Sequence, residues 1–202
     1  KPIYFFLLAK QPKEYDKNIP PSKPALQRLI KNVSSKYVMG IHPSWQSGDD
    51  DKILMEEIKT LEKANNKAVH LSRQHYIRFN LPEGYQRLID AGITDDYSMG
   101  YGSINGFRAS TGASFNWYDL KNENETALRV HPFSFMDANS FYEQKQSVEE
   151  TAKELNQYLA ICRQYNTSLV TLWHNNFLGT DPMFKGWAAL YSSFIDQVHA
   201  GY

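Results

Sequence analysis

Three apolar runs in this chain end on histidine: Ile41-His42, Val69 to Ser72 followed by Arg73-Gln74-His75, and Leu172-Trp173-His174. Neutral imidazole is a good ligand for zinc and similar metals. A catalytic metal needs about three protein ligands and one position left open for water. His42 and His75 are the candidate metal ligands, and a carboxylate would complete the set. Asp95-Asp96 is the acidic pair at a strand end, whereas Asp49-Asp50-Asp51 reads as a solvated helix start. The alternative is that the third ligand lies before Lys1. Of the other histidines, His70 reads as half-buried packing inside a strand, His131 as part of an extended loop before Pro132, and His199 as solvent exposed.

Arg73 and Arg108 stand beside the candidate site, where arginine can orient a carboxylate or support a developing oxyanion. A structural ion pair is the competing reading of each. Trp45, Tyr97, Trp117 and Trp173 lie close to the same positions in sequence. Aromatic faces at a polar site suit sugar rings, although most aromatics simply build core.

The elements that must position these residues alternate. Ile3 to Ala9 reads as a strand, followed by a Pro-rich loop from Gln11 to Pro21. Ser22 can cap a helix with Pro24 in its first turn and Leu26, Leu29, Ile30 and Val33 on one face. Tyr37 to Ile41 is the next strand. Acidic residues at 49–51 favour the positive end of a helix that buries Leu54, Ile58 and Leu61. Val69 to Ser72 is a strand, Pro82-Glu83 opens a helix that stops at Gly92, and Ile93 to Tyr97 is a short strand. Residues 98 to 140 read as irregular strands and loops inserted over one end of the fold, with Val130 to Met136 extended. Ser147 and Glu150 form a capping box for a helix striped by Val148, Ala152, Leu155, Leu159 and Cys162. Ser168 to Trp173 is a strand, and a last helix carries Trp187, Leu190, Phe194, Ile195 and Val198. This alternation predicts an α/β fold with a mainly parallel sheet, as a single domain over residues 1–202. In such folds active-site residues collect at the carboxyl ends of strands.

Composition removes several classes. The 22 basic and 22 acidic residues cancel, which argues against a nucleic-acid partner. No apolar run reaches the roughly 20 residues of a membrane span. The single cysteine, Cys162, permits no intrachain disulfide and no cysteine zinc site, reads as core filler, and suits a reducing compartment such as the cytoplasm. The chain enters an apolar strand directly after Lys1, without an initiator methionine, which reads as a fragment with material missing before it.

Five blocks, in order, carry a resemblance: Gly40-Ile41-His42-Pro43-Ser44-Trp45-Gln46-Ser47, Ser72-Arg73-Gln74-His75-Tyr76, Asp96-Tyr97-Ser98-Met99-Gly100-Tyr101, Gly106-Phe107-Arg108-Ala109 and Leu172-Trp173-His174-Asn175. Together they resemble a divergent bacterial subgroup of the polysaccharide deacetylases, carbohydrate esterase family four. The resemblance implies a distorted, incomplete (β/α) barrel whose first strand is missing here. It implies a divalent metal, commonly zinc, held by one aspartate and two histidines, with a second aspartate as base. A late histidine is the acid on the leaving amine, and the substrate is an N-acetylated polysaccharide such as peptidoglycan or chitin. On this resemblance His42 matches the first histidine ligand, His174 the late acid and Arg73 the arginine that orients the base.

The chain also departs from the pattern. Gln46 stands where a second histidine ligand is usual, and His75 is a substitute inferred from the neighbouring strand. Asn175 stands where aspartate usually follows the late histidine. The early Asp-Asp motif is absent and would sit on a strand before Ile3, so the fragment by itself is expected to have little activity. A carbohydrate-binding domain that has lost catalysis, gripping sugar through Trp45, Trp117 and Trp173, is the rival expectation. A different metal hydrolase acting on phosphate esters ranks below it, because no Gly-rich phosphate loop is present.

Overall fold

The computed structural model describes residues 2–200, which form two compact units. The first comprises the residues up to Ser98 together with Phe115–His131, and the second comprises Met99–Ser114 and the residues from Pro132 onward.

The first unit is built on a six-stranded sheet of order β1-β2-β3-β4-β6-β5. Its strands are β1 (Ile3–Leu7), β2 (Val38–His42), β3 (Leu71–Ser72), β4 (Asp95–Asp96), β5 (Phe115–Asp119) and β6 (Asn124–Val130). All neighbours run parallel except β5 and β6, which form an antiparallel pair. Leu7 pairs with His42, Ile41 with Ser72, and Ser72 with Asp96, so the carboxyl ends of four strands lie in register. The backbone ladder continues past β3, where Arg73 N–H donates to Ile41 O at 3.0 Å and His75 N–H to Pro43 O at 3.1 Å. Gly40 is required in β2, because a Cβ there would stand 2.7 Å from the carbonyl oxygen of Leu71.

Helices α1 (Pro24–Ser34), α2 (Asp51–Asn65) and α3 (Glu83–Asp90) connect the parallel strands. The α2 helix starts as its acidic run requires: the Asp50 side chain accepts from the N–H groups of Lys52 and Ile53, and Leu54, Ile58 and Leu61 are buried. Gly92 ends the α3 segment with a φ of +79°, a left-handed conformation that favours glycine.

Several local expectations are corrected. The cap position of α1 is Lys23, without a side-chain hydrogen bond, because Pro24 takes the first helical position and leaves Ser22 one residue too early. Leu26 and Ile30, one helical turn apart, form the buried line of α1, while Leu29 is half exposed. The strands around residues 69–72 and 93–97 shorten to two residues each. Burial extends further than ladder pairing does: Val69 and Ile93 are buried outside any strand. The segment 98–140 is less irregular than its composition suggests, because β5 and β6 complete the main sheet, with β6 parallel to β4.

The second unit contains the parallel pair β7 (Phe135–Met136) and β8 (Thr171–Leu172), with α4 (Val148–Gln164) and α5 (Trp187–Ala200). Its core is largely aromatic: Phe135, Phe177, Phe184, Trp187 and Phe194 pack with Leu155, Leu159 and Leu190. Cys162 is buried on α4, as its stripe predicts. The capping box forms: Ser147 Oγ accepts from Glu150 N–H at 3.1 Å, and the Glu150 carboxylate accepts from Ser147 N–H at 2.7 Å. Ser147→Ala is therefore expected to lower stability by about 1 kcal/mol in chemical denaturation, with the denaturant dependence unchanged. No helix among the described residues is long and apolar enough to cross a membrane.

Candidate functional site

The loop that follows β1 carries Asp16 under the ends of β2 and β3. Its side chain is 1% exposed. One carboxylate oxygen accepts from Trp45 N–H at 2.8 Å and lies 2.9 Å from His75 Nδ1. The other accepts from Gln46 Nε2 at 3.1 Å. Burial alone would raise the carboxyl of Asp16, but these hydrogen bonds outweigh it and hold the group below the ordinary aspartate range. Gln46, the departure from the usual histidine, thus serves as a donor that fixes this aspartate.

His42 ends β2, and its Nδ1 makes a short hydrogen bond with the carbonyl oxygen of Arg73. The His42 and His75 rings lie 4.8 Å apart. Each ring therefore has Nδ1 fixed by an acceptor, which is the orientation metal-binding histidines usually adopt when Nε2 ligates. The number of ligands is not met: among the described residues, no group of three or more His, Cys, Asp or Glu side chains is arranged to hold a metal. Asp16 is turned to His75, Trp45 and Gln46 instead. The two histidines fit a divalent metal in donor type, while a complete ligand set is not formed.

Arg73 places its guanidinium 4.7 Å from the centre of the Phe5 ring, and Nε donates to Tyr97 O at 3.2 Å. Tyr97 stacks on His131 at 4.4 Å with the planes 9° apart, and His131 Nε2 lies 2.7 Å from Asp95 Oδ1. His131 is thus a partnered side chain at the end of β6. His70 is exposed, and its Nδ1 lies 3.3 Å from Gly92 O, so it does not pack inside a strand as expected. The Asp95-Asp96 pair does not act as one acidic site, because successive residues of a strand point to opposite faces. Asp95 pairs with His131, while Asp96 is fully buried and accepts from Ser98 N–H at 2.8 Å and Ser98 Oγ at 2.7 Å.

Burial pushes the Asp96 carboxyl up to about 6, against hydrogen bonds from Ser98 and Tyr85 and the charge of Arg73. A carboxyl raised on folding stabilises the fold most when protonated. Its contribution is full below about 4, the ordinary value, and is lost as pH rises through about 6. Asp96→Asn is expected to remove a stability difference of about 2 kcal/mol between pH 4 and pH 7, read from urea midpoints across that range.

In the second unit, Asp137 follows β7 and is fully buried. It accepts from His174 N–H at 2.6 Å, lies 2.6 Å from His174 Nδ1, and accepts from Ala138 N–H at 2.7 Å. His174 follows Trp173 at the end of β8, with its side chain 35% exposed against 0% for Asp137. Asn175 stands where an aspartate is usual after the late histidine, and the carboxylate that pairs with His174 here is Asp137, from the end of the neighbouring strand. Such a pair fixes the tautomer and the orientation of the imidazole. Arg108 donates to Gly100 O at 3.1 Å in the same unit.

The expected aromatic residues divide. Trp45 lies beside Asp16 and Tyr97 beside His131. Trp117 meets the buried ring of Tyr85 edge-on at 4.9 Å, and Trp173 packs on Phe135 at 5.1 Å and Tyr191 at 5.2 Å, with its indole N–H bonded to Thr171 Oγ1. Both are packing residues. Asp16 and Asp137 were missed by sequence reasoning. Asp137 had a usable signal, an acidic residue closing an apolar run as His174 does; Asp16, inside an aperiodic Pro-rich loop, had none.

No family model matches the chain, and no curated protein matches it in sequence. Among solved structures, a Mycobacterium smegmatis protein described as a putative polysaccharide deacetylase superposes with a TM-score of 0.60 at 14% identity, over 85% of this chain. The chain spans 60% of the length of that protein. At this identity the likeness is one of fold: a mixed α/β chain with a mainly parallel sheet, similar in architecture to that deacetylase-like structure.

Proposed function

We propose that the chain carries a hydrolase activity that removes N-acetyl groups from a polysaccharide such as peptidoglycan or a chitin-like polymer. The observation that carries this reading is the buried Asp16 joined to His75, with His42 alongside, at the carboxyl ends of adjacent parallel strands. Amide hydrolysis adds water to the acetyl carbonyl, breaks the C–N bond and returns a proton to the amine. His174, whose ring Asp137 holds, is the candidate acid of the second unit. In the first unit Asp16 holds the His75 ring, and Arg73, packed between Phe5 and Tyr97, supports the charged groups. Zinc dependence is part of the proposal. His42 and His75 would supply two of its ligands, and no step is assigned to the metal because the set is incomplete.

The assay is acetate release by the natural full-length protein from N-acetylglucosamine oligomers and from peptidoglycan, with and without added Zn²⁺. Zinc-stimulated release is the expected result, and no release from either polymer under any metal condition would sink the reading. Gln46 and the incomplete ligand set favour a second reading, a carbohydrate-binding domain without turnover. Calorimetric titration separates the two, since a binding domain would take up sugar oligomers but no Zn²⁺ at micromolar concentration.

A further inference from the structure

Beside His75 the surface is aromatic. Tyr15, from the same loop as Asp16, lies 4.3 Å from the Trp45 ring and 5.2 Å from Tyr76, and Trp45 and Tyr76 meet edge-on at 5.8 Å. Tyr76 also lies 4.6 Å from the His75 ring. These rings are not core: Tyr15 is 44% exposed and Tyr76 is 60% exposed. Trp45 is held in place from two sides. Its N–H goes to Asp16, and its carbonyl accepts from Arg78, whose guanidinium sits 4.6 Å from the indole centre.

The backbone beneath Tyr76 is unusual. Tyr76 and Ile77 both adopt left-handed conformations, with φ of +55° and +54°. This is sparsely populated by side-chain-bearing residues, and least of all by β-branched isoleucine. Surrounding structure must hold it, as is common at ligand clamps. Here it keeps a large apolar ring in solvent next to His75.

We propose that Tyr15, Trp45 and Tyr76 form a stacking platform for a neutral pyranose ring of the polymer, one that seats a sugar unit next to the His75–Asp16 pair. The inference rests on the carbohydrate reading above and adds a binding subsite to it. A pyranose offers an apolar C–H face with hydroxyls around its rim. The platform meets the apolar face with the exposed rings of Tyr15 and Tyr76, backed by Trp45. Its charge argues for a neutral occupant, because Arg78, the cation at its edge, is ion-paired with Asp49. A platform continuous with the histidines should make the protein prefer oligomers over single sugars, since a chain can occupy both places at once.

The test is a tryptophan-fluorescence titration with N-acetylglucosamine, its tetramer and cellotetraose, run beside the acetate assay. The tetramer is expected to bind at least tenfold more tightly than the monomer. Tyr15→Ala and Tyr76→Ala should each weaken tetramer binding by roughly tenfold, and Tyr76→Phe should not. Unchanged thermal unfolding will show that these exposed substitutions leave the fold intact. Wild-type tetramer affinity in the Tyr15→Ala/Tyr76→Ala double variant overturns the platform, as does failure of wild type to bind either tetramer. Acetate release whose KM ignores both tyrosines likewise removes the platform while leaving the hydrolase. Tyrosine-dependent binding of cellotetraose without acetate release from any N-acetylated polymer keeps the platform and removes the hydrolase.

Discussion

Asp137→Asn is expected to reduce acetate release roughly a thousandfold while leaving the protein folded. Asp137 is fully buried and accepts from the backbone N–H of His174 as well as bonding its ring. The carboxylate can only accept, so it fixes His174 with the proton on Nδ1 and aims Nε2 outward. An asparagine is nearly the same size but carries an NH₂ group. If its oxygen stays with the His174 N–H, the amide nitrogen takes the other position, facing Nδ1 and the Ala138 N–H, and imposes the opposite tautomer. The negative charge that balances a protonated ring is lost as well. The prediction is therefore specific: kcat falls, KM for the polymer changes little, and near-ultraviolet circular dichroism is unchanged. A kcat within threefold of wild type would remove His174 from the chemistry. His174→Ala should then be no worse than Asp137→Asn, because the two side chains act as one unit.

Asp16→Ala is expected to lose both activity and stability, with a stability cost of about 2–4 kcal/mol. Three donors converge on this carboxylate: Trp45 N–H, Gln46 Nε2 and the His75 ring. Its removal strands buried donors and releases the loop after β1 from the ends of β2 and β3. Asp16→Asn tests charge apart from size. The wild-type carboxyl is held below its ordinary range, so it stabilises the fold above the unfolded value of 3.8. That contribution is lost only as pH falls through the lower folded value. The asparagine variant should be less stable than wild type at neutral pH, and the gap should close in strong acid. Equal stability of the two proteins at pH 7, in urea titrations, would show that the carboxylate contributes nothing through its charge. Loss of Zn²⁺ stimulation in Asp16→Asn, with stability restored by osmolyte, would tie the same residue to the proposed metal.

Much of the frame was legible in the chain itself. Apolar runs ending in histidine located the ends of β2 and β8 and the turn after β3, because a strand buried between helices must be apolar and its carboxyl end must be polar. The α2 and α4 starts were readable because their caps are local: Asp50 and Ser147 bond to residues two or three positions away. The alternation of strand and helix likewise implied a mainly parallel sheet.

What escaped is non-local. Pairing of β6 with β4 joins residues more than 30 positions apart, and no periodicity encodes which strand becomes a neighbour. Strand lengths also differ from the apolar runs, since burial and ladder hydrogen bonding are separate requirements. The aromatic candidates Trp45, Trp117 and Trp173 have the same chemistry in sequence. Only packing separates Trp45, beside Asp16, from Trp117 and Trp173, which support buried rings.

The histidines show the division most clearly. Sequence alone determined that His42, His75 and His174 stand at or just beyond strand ends, because the hydrophobic pattern around each is local. Tertiary structure decided which carboxylates hold His75 and His174, namely Asp16 from 59 positions away and Asp137 from 37. A carboxylate's role depends on burial and on the donors that face it, and those are set only when distant segments of the chain meet.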